Sequence, residues 1–176
     1  MTYKSLAYNE RSARMRLPQN TLIVPGKFGG FGRLSAATAQ AGTANQGYYQ
    51  SFVQPYSTDI ISMSVWNQTG TNNADLGLYD ATGTLLGSKG STASVAASLF
   101  TFTPSVPIPV QEGVMYFAAF ATAGTATILA FSGSAQNNPR MGRAIQASAL
   151  ALPSPATFAA AGTTVFLPII SIVFAN

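Results

Sequence analysis

Between Tyr48 and Phe131 apolar and polar residues alternate with a period of two, broken at short intervals by turn residues. β-Strands that bury one face have this period, and amphipathic helices do not. Ile61, Met63 and Val65 alternate with Ser62, Ser64 and Trp66, and Leu76, Leu78 and Asp80 alternate with Gly77 and Tyr79. Asp80-Ala81-Thr82-Gly83 is a turn signal in which Gly83 can take the left-handed conformation, and residues 84–86 return as the partner strand. Tyr49, Ser51 and Val53 lead in, while residues 99–103, 114–120 and 125–131 supply further strands. Pro104, Pro107 and Pro109 confine the stretch 105–110 to an edge or an extended crossing. Residues 67–73 and 87–98 read as polar or small-residue loops. At least six strands with short turn signals and no convincing amphipathic helix predict an all-β chain: an antiparallel, jelly-roll-like β-sandwich.

The ends of the chain differ from this middle. Residues 1–33 carry Lys4, Arg11, Arg14, Arg16, Lys27 and Arg33 against Glu10, a net charge of +5. Residues 34–139 carry Lys89 against Asp59, Asp75, Asp80 and Glu112, a net of −3, and Arg140 and Arg143 follow. Pro18 and Pro25 break any helix in the basic stretch, and Gly26, Gly29, Gly30 and Gly32 loosen the backbone around Phe28 and Phe31. Residues 35–47 are rich in Ala, Thr, Gln and Gly with little to bury. Residues 1–47 are therefore expected to form an extended basic arm and linker, and residues 48–176 the sandwich. Residues 144–152 are mixed in character, and Pro153 and Pro155 stop regular structure. Residues 163–174 predict a last strand apolar on both faces apart from Ser171, which either runs through the middle of the sandwich or pairs in a subunit interface.

Composition narrows the function. Charged residues make up 8% of the 176 positions and hydrophobic residues 47%, against roughly 25% charged residues in an ordinary soluble protein. A surface so poor in charge is expected to be covered by partners, or else to be the Ser/Thr/Asn surface of a secreted β domain. The absence of Cys removes disulfides and thiolate metal sites, and the absence of His removes the commonest general base and imidazole ligand. Residues 1–18 lack the apolar core of a signal peptide, and the apolar run 165–175 is too short to cross a bilayer. No enzymatic activity and no cofactor are expected.

The stretch from Tyr48 to Phe131 also carries a resemblance. Trp66-Asn67 ends one strand, Ala74-Asp75-Leu76-Gly77-Leu78-Tyr79-Asp80 forms the next, and Thr82-Gly83-Thr84-Leu85-Leu86-Gly87-Ser88 turns back from it. Phe100-Thr101-Phe102, a Pro-rich crossing and Gly113-Val114-Met115-Tyr116-Phe117-Ala118-Ala119-Phe120 complete the order. This resembles the jelly-roll virion proteins of tailed bacteriophages, of the head decoration, head-fibre and minor tail type. The resemblance implies a homotrimer, or another cyclic oligomer, on the exterior of a capsid or tail, binding the major capsid protein or a tail protein. It brings no catalytic residues. In this reading the arm is the anchor, with Arg11, Arg14, Arg16 and Arg33 facing acidic patches and Phe28 and Phe31 as apolar contacts.

Other chemistry is weaker. Trp66 and Tyr79, with Tyr116, are the aromatic residues that would stack on sugar rings if exposed, as in a tail-fibre, baseplate or cellular carbohydrate-binding sandwich; burial in the sandwich is the alternative. Asn72, Asn73, Asp75 and Asp80 gather oxygen ligands of the kind Ca²⁺ prefers, although Asp80 is explained as a turn residue. Asp59 with Glu112 is the pair available for glycoside hydrolysis. The glycine-rich stretch 26–32 lacks the Gly-Lys-Ser/Thr ending of a phosphate loop. Asn67-Gln68-Thr69 matches a glycosylation acceptor with no secretory signal to support it. Specific nucleic-acid binding is not expected from a basic stretch without a folded basic face.

Overall fold

The alternating segments form strands in the computed structural model, in which the described residues are 21–24, 38–124, 127–132, 143–147, 149–160 and 166–175. In chain order the strands are β1 (Thr21–Val24), β2 (Thr38–Ala41), β3 (Gln46–Val53), β4 (Thr58–Thr69) and β5 (Asn73–Asp80). They continue as β6 (Leu85–Ser88), β7 (Thr92–Ala93), β8 (Ser98–Phe102), β9 (Ile108–Val110) and β10 (Met115–Thr122). The last are β11 (Thr127–Ser132), β12 (Arg143–Gln146), β13 (Ala159–Ala160), β14 (Phe166–Pro168) and β15 (Ile170–Phe174). The fold is all-β, with two antiparallel sheets arranged as a sandwich. The larger sheet has the order β1-β15-β4-β11-β14, with β2 on β11 and β8 and β9 on β4. The smaller has the order β13-β12-β3-β10-β5-β6, with β7 on β5.

Cross-strand partners share a face, so the registers assign the core. In the smaller sheet Tyr48 lies opposite Phe120, Phe52 opposite Tyr116, and Leu78 opposite Ala118, all turned inward. In the larger sheet Met63 lies between Phe102 and Ile172, and Val65 between Phe100 and Ile170. The two inner faces meet in one continuous apolar core.

Five expectations change with the tertiary contacts. In β4 the register against β15 shifts, with Phe174 opposite Ile60 and Val173 opposite Ser62, so Ile61 is an extra residue. This bulge turns Ile60 inward and leaves Ile61 exposed, reversing the phase read from the alternation at that point. The loop expected over residues 67–73 shrinks to three residues, because β4 continues to Thr69 and the Asn67 amide donates to Gly70 O and Val95 O. The stretch expected to be a linker contributes β2, whose Thr, Ala and Gln residues pair through the backbone with β11 and need little apolar burial. Thr21–Val24, within the expected arm, likewise pairs with β15. The single last strand is two: β14 pairs with β11, and β15 lies between β1 and β4 inside the larger sheet. Ile170, Ile172 and Phe174 are buried, while Ser171 and Val173 point the other way and are half-buried.

Candidate functional site

Three surfaces of the sandwich carry the chemistry that could serve a function, and the first is closed. The outward residues Tyr49, Tyr79, Phe117, Ala119 and Ala121 of the smaller sheet form a second apolar cluster, beneath the segment 149–158. Leu152 and Ala156 bury themselves on this face, and the Phe158 ring lies 4.3 Å from Phe117 and 5.1 Å from Tyr49. Prolines stop this segment from forming a strand, so its polar backbone is satisfied by the sheet. Tyr79 Oη donates to Pro153 O at 2.6 Å, and Ala156 N–H donates to Gly83 O at 2.8 Å. The Gln146 side-chain oxygen accepts from both Tyr49 Oη and Thr157 N–H. Burial pushes the Tyr49 phenol up to about 12 and raises Tyr79 as well. Asp75 is the one carboxylate in this layer and is fully buried. Its Oδ1 accepts Leu76 N–H at 2.8 Å and its Oδ2 accepts Leu152 N–H at 3.0 Å. Burial holds its carboxyl above the usual range despite these bonds.

The second surface is the outer face of the larger sheet. Across three adjacent strands its central residues are Ser62, Ser64 and Trp66 of β4, Leu99 and Thr101 of β8, and Ser171 and Val173 of β15, with Asp59 on the same side at the β9 end of β4. None of the central residues can ionise. Ser64 and Thr101 hydroxyls are 2.9 Å apart, and the Ser171 hydroxyl donates to Ser64 O. Trp66 is half-buried beside Leu99, which is 49% exposed.

The third surface is a groove of about 600 Å³ along one long edge, where β6 of the smaller sheet faces β8 and β9 of the larger. Lys89 closes part of it. Its Nζ donates to Thr101 O at 2.6 Å and lies 4.9 Å from the centre of the Phe100 ring. The charge thereby covers an edge carbonyl that another strand could otherwise use.

No family model matches the chain, and no curated protein matches it. The functional reading therefore rests on these surfaces.

The residues singled out in the sequence fall unevenly on them. Arg11, Arg14, Arg16, Phe28, Phe31 and Arg33 lie outside the described residues, as does the glycine-rich stretch. Tyr79 is fully buried, and Tyr116 lies in the core with its hydroxyl accepting Gln111 N–H, so neither presents a ring face to a sugar. Trp66 alone of the three stands on an outward face that the segment 149–158 does not cover. Asn67, of the glycosylation triplet, is 2% exposed with its amide donating twice, which closes it to modification. The oxygen ligands considered for Ca²⁺ serve separate partners. Asp75 holds Leu152, whereas Asp80 Oδ1 accepts Thr82 N–H, Thr82 hydroxyl and Thr84 N–H. Hydrogen bonds from Thr82, then Thr84, hold the Asp80 carboxyl below the usual range. Asp59 and Glu112 lie at one end of the β4–β9 pair, where Glu112 N–H donates to the Ser57 hydroxyl. Sequence reasoning missed the covering segment 149–158. Its signal was Leu150, Leu152 and Phe158, apolar residues set among prolines, where strand periodicity does not apply.

Proposed function

We propose that the protein is a non-enzymatic structural subunit of a tailed-bacteriophage virion, a capsid decoration or head-fibre protein that binds the major capsid protein from outside. The reading includes a jelly-roll relationship to those proteins and a homotrimer as the working form. The observation that carries it is the outer face of the larger sheet, where Ser62, Ser64, Thr101 and Ser171 surround Trp66 and Leu99 without an ionisable group. A patch of this kind loses little solvation on contact and presents no like charges of its own when copies meet. The basic residues before β1 supply the second attachment, with Arg11, Arg14 and Arg16 toward acidic patches of the neighbouring shell. Phe28, Phe31 and Arg33, beyond β1, extend that contact.

Mixing the full chain with capsid shells that lack it tests this directly. Cosedimentation at a fixed, high copy number, with trimers in the unbound fraction, is the expected result; failure to cosediment overturns the proposal. A deletion limited to residues 1–20 probes the basic attachment and keeps β1, whose backbone pairs with β15. A second reading, glycan recognition by a tail-fibre or cellular binding module, is favoured by Trp66 on the outer face of the larger sheet. Binding to a glycan array that is lost in Trp66→Ala would support that reading over decoration.

A further inference from the structure

We propose that in the free subunit one end of the sandwich is a docking surface for the basic residues 1–20 of the same chain, a contact that the acidic patches of a shell would displace on binding and that stands in the free chain whether or not the subunit belongs to a virion. The registers bring three carboxylates to this end. Asp80 closes β5 opposite Tyr116, which in turn lies opposite Phe52 near the end of β3. Gly113 N–H donates to Gln54 O at 2.8 Å, and Glu112 N–H donates to the Ser57 hydroxyl at 3.1 Å, which ties the β9–β10 turn to the start of β4. Asp59 is the second residue of β4, and its carbonyl accepts Ala175 N–H at 2.8 Å. These are all the carboxylates of the described residues except the buried Asp75, and the stretches 52–61, 79–85 and 106–117 that build this end contain no Lys or Arg; Arg143 enters the neighbouring strand opposite Gln50, two residues short of Phe52. The hydrogen bonds to Asp80 keep it ionised.

Two further observations indicate what lies there. Gln54 is fully buried at this end, and neither its amide nitrogen nor its amide oxygen has a partner. It follows Gln50 and Phe52 on the inward side of β3, so its amide sits at the mouth between the sheets. A donor and an acceptor side by side match the backbone of an extended chain. Around it Val53, Tyr56 and Met115 are 50%, 47% and 39% exposed.

The occupant follows from charge and from where the chain enters the sheet. Thr21 lies opposite Val173, next to Phe174, which pairs with Ile60 beside Asp59, so residues 1–20 join the sandwich at this end. Residues 1–20 carry Lys4, Arg11, Arg14 and Arg16 against Glu10. From Thr21 to Arg16 is roughly 17 Å of extended chain, against roughly 10 Å across two strand spacings. A tether this short holds the basic residues near their own acidic end at a millimolar-order effective concentration, well above that of a second copy in dilute solution.

Limited trypsin digestion of the full chain tests the contact, with a free peptide of residues 1–20 as the reference. At about 20 mM salt, cleavage after Arg11, Arg14 and Arg16 should be slower than in the peptide by on the order of fivefold, and the difference should vanish at about 0.5 M salt. The double variant Asp59→Asn, Glu112→Gln should lose the protection while keeping the wild-type near-ultraviolet circular dichroism. Arg14→Glu, which leaves the sandwich untouched, should speed cleavage at Arg11 and Arg16. Equal rates in chain and peptide at low salt overturn the proposal, as does protection that survives both charge variants. Protection that grows with protein concentration also overturns it, because it assigns the contact to a second copy.

Discussion

Asp75 and Asp80 are five positions apart on one strand, and their surroundings displace them in opposite directions from the same ordinary value of 3.8. Burial raises Asp75, so the folded state holds that proton more tightly than the unfolded chain. Its contribution to stability is full below pH 3.8 and is lost as pH rises through the raised value. Asp80 is lowered, so its contribution is present above 3.8 and is lost as pH falls through the lowered value. Asp75→Asn should therefore remove a decline in the urea midpoint above pH 3.8 and leave the acid limb intact, which a midpoint series across pH will read. Glycines offer a second comparison at this scale. Gly83 and Gly113 have φ of +90° and +74°, but an added Cβ would lie 2.7 Å from Ala156 O at Gly83 and meet nothing within 4 Å at Gly113. Gly113→Ala should cost about 1 kcal/mol from backbone strain alone. Gly83→Ala should cost a further 1–3 kcal/mol or so, because the covering segment must shift, and urea denaturation of both variants measures the difference.

Among the elements, the covering segment 149–158 depends most on others. It has no strand partner along its length and is held by Leu152 and Ala156 on the apolar face and by bonds to Asp75, Tyr79 and Gly83. Leu152 is 5% exposed, and Leu152→Ala should destabilise by roughly 2–5 kcal/mol. Hydrogen exchange checks the same point without mutation. The Leu152 and Ala156 amides should exchange through a smaller opening than those of β10, which is paired on both sides. β15 is the contrasting case. Its residues 170–174 were legible as a buried strand from composition, yet whether it lay inside the sandwich or between subunits was open. Pairing with β1 on one side and β4 on the other places it inside the larger sheet.

At the scale of the whole molecule, one sheet has its outer face covered by its own chain and the other presents Trp66 and Leu99 among hydroxyls. If that face meets partners, a charge there should leave folding nearly unchanged and abolish association. Leu99→Lys is expected to shift stability by no more than about 0.5 kcal/mol while eliminating cosedimentation with shells or self-association by analytical ultracentrifugation. Retained association would remove this face from the assembly. The long strands β3, β4, β5, β8, β10 and β11 and the turn after β5 were determined by the sequence itself, because alternation along Ser62 to Trp66 and a positive φ at Gly83 are local properties of neighbouring residues. Tertiary structure alone decided that Tyr79 is enclosed, that Asp75 lies under Leu152, and that a bulge turns Ile61 outward. The physical reason is distance along the chain: Tyr79 meets Pro153 across 74 residues and Asp75 meets Leu152 across 77, and such contacts leave no period in the sequence.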